Sequence, residues 1–259
     1  MTTLFKYLIT PLLSTYPYYL GYVDVKLKYR RSLFGPWWLT ISTLIFIIML
    51  SFLWSKVFSY ESDDFLLYFS IGFIIWLWIS NQLIEASNGY GPYQGIIKQI
   101  KVNPILFTLR MNIKNFILFL HNSIVILIIL IYLNREINLV SLFLFFLGVL
   151  YVQLNLFLLT IIIMFLCSRF QDLTQVVLIA NQLFFFVTPI IWQIDSLKSS
   201  MFILDLNPFY YWVEIIRGSI INGVMDVDIF LKSLIILSLL LFIYIFITKR
   251  FHKKIAMWI

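Results

Sequence analysis

The sequence is 259 residues long, 62% of them hydrophobic and only 12% charged, and its mean hydropathy is +0.96. Because a water-soluble domain of this length has about a quarter of its residues charged, the composition excludes a protein whose only solvent is water. The net charge of +7 would indicate a nucleic-acid partner in a soluble protein. In a membrane protein we expect it to set the orientation instead, with no nucleic acid bound.

Stretches free of Asp, Glu, Lys and Arg locate the membrane-spanning helices, because a charge at the centre of a span costs about 2.5–3.5 kcal/mol on insertion scales. About 20 apolar residues cross the hydrocarbon core. Six such windows predict an all-α integral membrane protein of about six transmembrane helices: residues 32–55, 65–84, 115–134, 137–168, 173–194 and 233–248. The long fourth window predicts one tilted helix, and the short sixth reaches full length if Lys232 snorkels at its outer end.

The distribution of Lys and Arg predicts that both termini lie in the cytoplasm. With six spans, one side of the membrane holds 14 of the 19 basic residues and 3 of the 12 acidic ones, on residues 1–36, 85–114, 167–172 and 249–259. That side has a net charge of +11, against −4 on the other. Since cytoplasmic loops are enriched in Lys and Arg, we expect the basic side to be inside.

Residues 1–36 form a predicted cytoplasmic interfacial segment before the transmembrane domain of residues 37–259. We expect no cleaved leader, because the first long apolar run is too long for a signal peptide and has no small-residue cleavage site. The stretch YVDVKLKYRRSLFGPWW, residues 22–38, predicts a basic amphipathic helix on the inner membrane surface that ends at Gly35-Pro36. Its predicted apolar stripe consists of Leu20, Val23, Leu27 and Phe34.

The basic residues of this helix allow two interpretations. In the first, they bind only anionic lipids, while Trp37 and Trp38 anchor the first span at the headgroup level. In the second, Lys28, Arg30 and Arg31 also meet a phosphate-bearing substrate from the inner leaflet, since arginine guanidinium groups match phosphate oxygens.

Two further cytoplasmic segments have the features of docking sites. Residues 85–114 are far longer than the about four residues that a simple reversal needs, and they predict a short basic helix from Gln94 to Val102, stopped by Pro104. This helix either docks to a partner or lies in the membrane interface. Between the fourth and fifth spans, Asp172 and Gln175 predict an N-cap pair, with a second partner contact as the alternative.

The outer segment at residues 193–222 is rich in aromatic residues but carries charges. It predicts short helices that dip into the outer interface, broken at Asn207-Pro208, rather than a span. Glu214 and Arg217 lie one helical turn apart and predict an ion pair. Aromatic faces stack on sugars and also reside in the membrane interface, and the interface is the favoured position for most of these.

Polar side chains inside the predicted spans either tie helices together or line a path for hydroxyl-rich molecules: Asn81, Gln82, His121, Gln153, Asn155, Asn181 and Gln182. His121 alone among them is ionisable, which argues against a proton-coupled carrier and predicts a helix-to-helix hydrogen bond. No phosphate-binding loop of the G-x-x-x-x-G-K-[ST] type occurs, so the chain cannot hydrolyse ATP by that route. We expect no catalytic residues, metal ligands or cofactor in this chain.

Three ordered segments together resemble the permease subunits of polysaccharide ABC exporters, the ABC-2 type membrane proteins that export O-antigen and teichoic-acid-like polymers: KYRRSLFGPWW at residues 28–38, GIIKQIKVNP at 95–104 and NPFYYWVEIIRG at 207–218. The Arg-Arg-Ser-x-x-Gly-Pro-x-Trp pattern is the most specific. The resemblance implies a homodimer in the bacterial inner membrane that works with a separate ATP-binding cassette subunit, which binds ATP and Mg²⁺. The cargo it implies is an undecaprenyl-pyrophosphate-linked glycan.

The resemblance also implies three groups of functional residues. The substrate-loading group is Lys28, Arg30, Arg31, Trp37 and Trp38. The ATPase-coupling group is Gln94, Gly95, Lys98, Lys101, Arg169 and Asp172. The exit-gate group is Asn207, Pro208, Tyr210, Trp212, Glu214 and Arg217. Two other hypotheses remain open: an exporter of the same fold for a drug or small lipid, and a membrane enzyme or channel that needs no ATP.

Overall fold

The computed structural model describes residues 14–100, 102–136, 138–194, 201–251 and 254–259. These residues form α-helices and one 3₁₀ turn, with no β-strand among them. In chain order the helices are α1 (Tyr16–Lys28), α2 (Trp37–Phe58), α3 (Ser62–Ala86), the 3₁₀ turn Gly91–Tyr93, α4 (Gln94–Gln99), α5 (Ile105–Tyr132), α6 (Leu139–Arg169), α7 (Leu173–Val187), α8 (Met201–Asp205), α9 (Pro208–Ile221), α10 (Val227–Phe251) and α11 (Ile255–Trp258). The predicted all-α class is confirmed.

Five of the described helices, α2, α3, α5, α6 and α10, are long and apolar enough to cross a membrane. They correspond to five of the six predicted windows. The fourth window is indeed a single helix of 31 residues. The helices extend beyond the windows, since α5 begins ten residues earlier than predicted and α10 includes Lys232. Charged residues at helix ends lie outside the hydrocarbon, so a charge-free window underestimates helix length.

The fifth window, residues 173–194, contains the shorter helix α7, of 15 residues. It ends before Pro189, which drives Thr188 to an extended backbone with ψ of 135°. The carbonyl oxygens of Pro189 and Trp192 then accept hydrogen bonds from the Tyr68 hydroxyl, at 3.1 and 3.2 Å.

The contacts of α7 with α3 show how far this part of the chain extends. At its start, Thr174 Oγ1 donates to the Ser87 carbonyl at 2.8 Å, and in its middle Asn181 donates to Ser80 Oγ at 2.8 Å. Together with the Tyr68 contacts, these hydrogen bonds follow α3 from Ser87 back to Tyr68. The distance is 19 residues, about 28 Å at 1.5 Å per residue. This length is close to the hydrocarbon thickness of about 30 Å, but α7 alone is shorter than a span, and the sixth crossing stays a prediction.

Helix α3 lies at the centre of the bundle. Of its 18-residue apolar stretch 72% is buried, compared with 22% for α2 and 17% for α10. It packs against α2, α5, α6, α7 and α9. Phe65, Phe69 and Phe73, one turn apart, stack along it with centroids 5.9 and 5.4 Å apart. The core is therefore aromatic and central, while α2 and α10 turn apolar faces outward.

Candidate functional site

Helix α1 is docked on α5 by residues outside the predicted apolar stripe. Its buried residues are Pro17, Gly21 and Val25, whereas Leu27 and Phe34 of the predicted stripe are more than half exposed. At Gly21 a Cβ atom would lie 2.8 Å from the backbone oxygen of Arg110. The small Gly21 lets the two backbones approach closely, and the predicted membrane contact of the apolar stripe stays a prediction.

The helix also ends earlier than predicted, at Lys28 rather than at Gly35-Pro36. Arg30 and Arg31 lie in the turns that follow. Lys26 and Arg30, four residues apart, would be like charges on one helix face, which disfavours a further helical turn. Gly35, with φ of 57°, then redirects the chain into α2.

A groove of about 700 Å³ lies between the end of α1 and these turns. Two cationic residues, Lys26 and Arg30, line it together with Tyr22, Tyr29 and Pro36. Burial raises the pKa of Tyr29, so its hydroxyl stays protonated. We call this the basic groove; it presents two positive charges beside aromatic surface.

Of the predicted substrate-loading residues, only Arg30 lines the basic groove. Lys28 and Arg31 are exposed outside it, and Lys28 Nζ lies 5.7 Å from the centroid of the Tyr29 ring. Trp37 and Trp38 begin α2 and are more than half exposed, where an interfacial anchor would be. Lys26 was missed, although its spacing of four residues from Arg30 was visible in the sequence.

The loop after α3 is held firmly against the end of α6. The backbone nitrogen of Tyr90 donates to Ser168 Oγ at 2.8 Å, and a Cβ on Gly89 would lie 2.7 Å from the same oxygen. The predicted helix begins at Gln94 as expected but ends at Gln99, because Ile100 adopts an extended backbone. Three of the predicted coupling residues, Gln94, Gly95 and Lys98, lie on this helix and are exposed. The fourth, Lys101, falls outside the described residues.

The C-terminal helix α11 joins α4 and the end of α6 on one face. It packs against both helices, and Ile255 is buried there. The Arg169 guanidinium carbon lies 5.3 Å from the centroid of a Trp258 ring. The structure thus brings α4 and Arg169 together through α11. Sequence reasoning used this C-terminal segment only for its positive charge.

Asp172 does not form the predicted N-cap. It occupies the position before α7 and is exposed, but its side chain makes no cap hydrogen bond. An N-cap side chain reaches the backbone N–H groups from an extended backbone, whereas Asp172 is already helical, with φ of −61° and ψ of −28°. The capping-pair prediction is therefore wrong.

The outer segment breaks at Asn207-Pro208 as predicted. Asn207 is buried and caps α9, since its Oδ1 accepts a hydrogen bond from the Phe209 nitrogen at 3.0 Å. Its Nδ2 donates to Thr188 Oγ1 at 2.9 Å and so joins α9 to the end of α7. The interfacial position expected for the aromatic residues is wrong for Phe209, Tyr211 and Trp212, because these three pack inside the bundle. Tyr210 is half-buried.

Arg217 forms the centre of this outer region. It pairs with Glu214, as predicted, and its Nη1 donates to the Pro189 carbonyl at 2.8 Å. Its guanidinium carbon lies 3.7 Å from the centroid of the Tyr68 ring, and Gly72 leaves room for it. A pocket of about 280 Å³ beside this cluster is lined by polar residues that include Gln193. The cluster holds the segment after α7 in place.

The polar residues of the spans mainly tie helices together. Gln82 donates to Asn112 Oδ1 at 2.9 Å, Gln153 donates to the same oxygen at 3.1 Å, and Asn112 donates to Thr160 Oγ1 at 2.9 Å. These bonds connect α3, α5 and α6. His121 contacts Thr40 across α5 and α2, where Thr40 Oγ1 lies 3.4 Å from its Nδ1, in line with the predicted helix-to-helix contact.

Comparison with known proteins agrees with the sequence resemblance. The family model described as ABC-2 type transporter matches residues 9–221. The O-antigen export system permease protein RfbA of Klebsiella pneumoniae is 23% identical over 218 residues, which cover 79% of this chain and 80% of that protein. Because the family match spans most of the sequence, the chain belongs to the ABC-2 type transporter family.

Proposed function

We propose that this chain exports a lipid-linked, O-antigen-like polysaccharide across the bacterial inner membrane, with both termini in the cytoplasm. Family membership makes it the membrane-spanning subunit of an ABC exporter and implies an ATP-binding subunit as its partner. In the proposal the chain works as a homodimer, since six helices hardly enclose a path as wide as a glycan, whereas a closed two-fold dimer supplies twelve. ATP and Mg²⁺ belong to the partner subunit.

The observation that carries the proposal is the basic groove. Lys26 and Arg30 offer positive charge to the phosphate oxygens of a lipid-linked pyrophosphate, and the Arg30 guanidinium can bind two oxygens at once. Tyr22 and Tyr29 supply aromatic faces of the kind that stack on sugars and reside at membrane interfaces. The relative that is an O-antigen export permease supports this cargo class.

The proposal assigns separate tasks to the other two regions. The exposed face of α4, with Arg169 and α11 beside it, would meet the ATP-binding subunit. Residues 201–221 would form the exit, where Arg217 ties α9 to Pro189 at the end of α7. Undecaprenyl-pyrophosphate-linked glycan is the substrate that this arrangement would move.

Deletion of the gene from its own host tests the proposal. We expect lipid-linked glycan to accumulate on the cytoplasmic side and to disappear from the cell surface, and the wild-type gene to restore export. Increased sensitivity to a drug, with surface glycan unchanged, would reject the glycan and favour an exporter of drugs or small lipids. Transport by the purified chain alone in liposomes would reject dependence on ATP.

A further inference from the structure

Arg110, on the second turn of α5, holds α1 in a fixed orientation. Its Nε donates to Asp24 Oδ2 and its Nη2 donates to Asp24 Oδ1, each at 2.6 Å. Such a two-bond pair fixes direction as well as distance. The side chains are only 23% and 21% exposed, so solvent ions screen the pair less than an exposed one.

The same guanidinium group also contacts the loop that precedes α4. Its carbon lies 5.9 Å from the centroid of the Tyr93 ring, a distance at which a cation is attracted to an aromatic face. Tyr93 is followed directly by Gln94, the first residue of α4. Its ring also stacks on Phe107 of α5, with centroids 4.5 Å apart and planes 17° apart. Arg110 thus contacts both α1, through Asp24, and the turn that precedes α4, through Tyr93.

From these contacts we propose that Arg110 is a positioning residue that transmits a displacement of α4 to α1 and the basic groove. Asp24 precedes Lys26 by two residues on the same helix, so a shift of the guanidinium moves a charge that lines the groove. One site influences another only through contacts that differ between two states. The contacts from Tyr93 through Arg110 to Asp24 would differ if α4 moved. The inference rests on the proposed function in taking α4 as the face toward the ATP-binding subunit.

The competing explanation is that Arg110 only anchors α1. Both explanations require the pair with Asp24, but only transmission requires the contact with Tyr93. Tyr93→Leu removes the aromatic face and leaves Asp24 and Arg110 in place, while Tyr93→Phe keeps the face. These two substitutions therefore separate the explanations without breaking the ion pair.

The experiment follows α1 in the complex of the chain with its ATP-binding subunit, reconstituted in lipid nanodiscs. A fluorophore sensitive to its environment is attached to Tyr19→Cys, an exposed position of α1, in a Cys167→Ser background. A non-hydrolysable ATP analogue is expected to change its emission. Tyr93→Leu should reduce that change at least about fivefold, the lower end of typical coupling between sites, and Tyr93→Phe should keep it.

A charge exchange provides the second comparison. Asp24→Arg combined with Arg110→Asp, made in the Tyr93→Leu background, restores an ion pair between α1 and α5 but leaves no aromatic face beside it. We expect this variant to recover the protease resistance of α1 and to lack the nucleotide response. Lys114→Gln is the matched control, because it breaks a similarly exposed pair with Glu85 one turn further along α5 and should keep the response.

A response that persists in Tyr93→Leu, that returns in the charge-exchanged variant, or that is absent from the unsubstituted chain would overturn the inference. The readout needs nucleotide but no cargo. The result is therefore the same whether or not the cargo is a glycan, and a result that overturns the inference does not contradict glycan export.

Discussion

At the scale of single residues, Arg217 shows how this protein stabilises a charge inside the bundle. It is the one charged residue in the fully buried class among those that the structure describes, with 1% of its surface exposed. Glu214 neutralises it, the Pro189 carbonyl accepts a hydrogen bond from it, and the Tyr68 ring covers it. Because those partners come from α3, α9 and the chain after α7, one side chain joins three parts of the outer region.

Replacing Arg217 by Met should lower the free energy of unfolding by about 1–3 kcal/mol, since Glu214, whose side chain is 15% exposed, would lose its partner. The double variant Glu214→Gln with Arg217→Met should lose less than the sum of the two single variants. Chemical denaturation in mixed micelles measures both. Strictly additive losses would contradict the pairing.

Arg30 and Arg31 are neighbours in sequence but not equivalent in position. Arg30 lines the basic groove, whereas Arg31 is exposed outside it. Arg30→Ala should therefore reduce export at least about tenfold, the loss expected when a charged hydrogen bond of about 1.5–3 kcal/mol is removed. Arg31→Ala should have a smaller effect. The amount of surface glycan, measured at matched levels of membrane-inserted protein, distinguishes the two variants. Equal effects of both variants would refute a role for the groove.

At the scale of elements, α1 and α5 approach each other closely at Gly21. Gly21→Ala places a Cβ 2.8 Å from a backbone oxygen and 2.9 Å from Ile113 Cγ2, so we expect a loss of about 1–3 kcal/mol and release of α1. Gly95→Ala in α4 is the control, because nothing lies within 4 Å of its Cβ and alanine favours the helix. Limited proteolysis of α1 with denaturation measurements would detect the difference; an α1 equally protected in both variants would contradict it.

How much of each element was predictable depends on which force determines it. The long spans and the break at Asn207-Pro208 follow from hydrophobicity and from proline, which are local properties. The packed face of α1 does not, because Gly21 gives no periodic signal and its partner Arg110 is 89 residues away in the chain. The buried position of Trp212 likewise depends on contacts with distant helices, whereas an aromatic-rich polar segment by itself favours the interface.

At the scale of the whole molecule, charge and burial divide the chain into two sides with different tasks. The basic groove, α4 and α11 share the side where the sequence concentrates its Lys and Arg residues. The Arg217 cluster and the break between α8 and α9 lie toward the opposite end of α3, beside Tyr68. In the proposed function the cations of the first side meet the phosphate of the cargo, and the ATP-binding subunit that family membership implies supplies the energy.

The most direct test of this account uses inverted membrane vesicles that contain the chain, its ATP-binding subunit and undecaprenyl-pyrophosphate-linked glycan on the outer face. The account predicts that the glycan moves into the lumen when ATP and Mg²⁺ are supplied, and that movement stops when the ATPase active site of the partner is inactivated. Movement that continues without nucleotide, or with the partner inactivated, would contradict it.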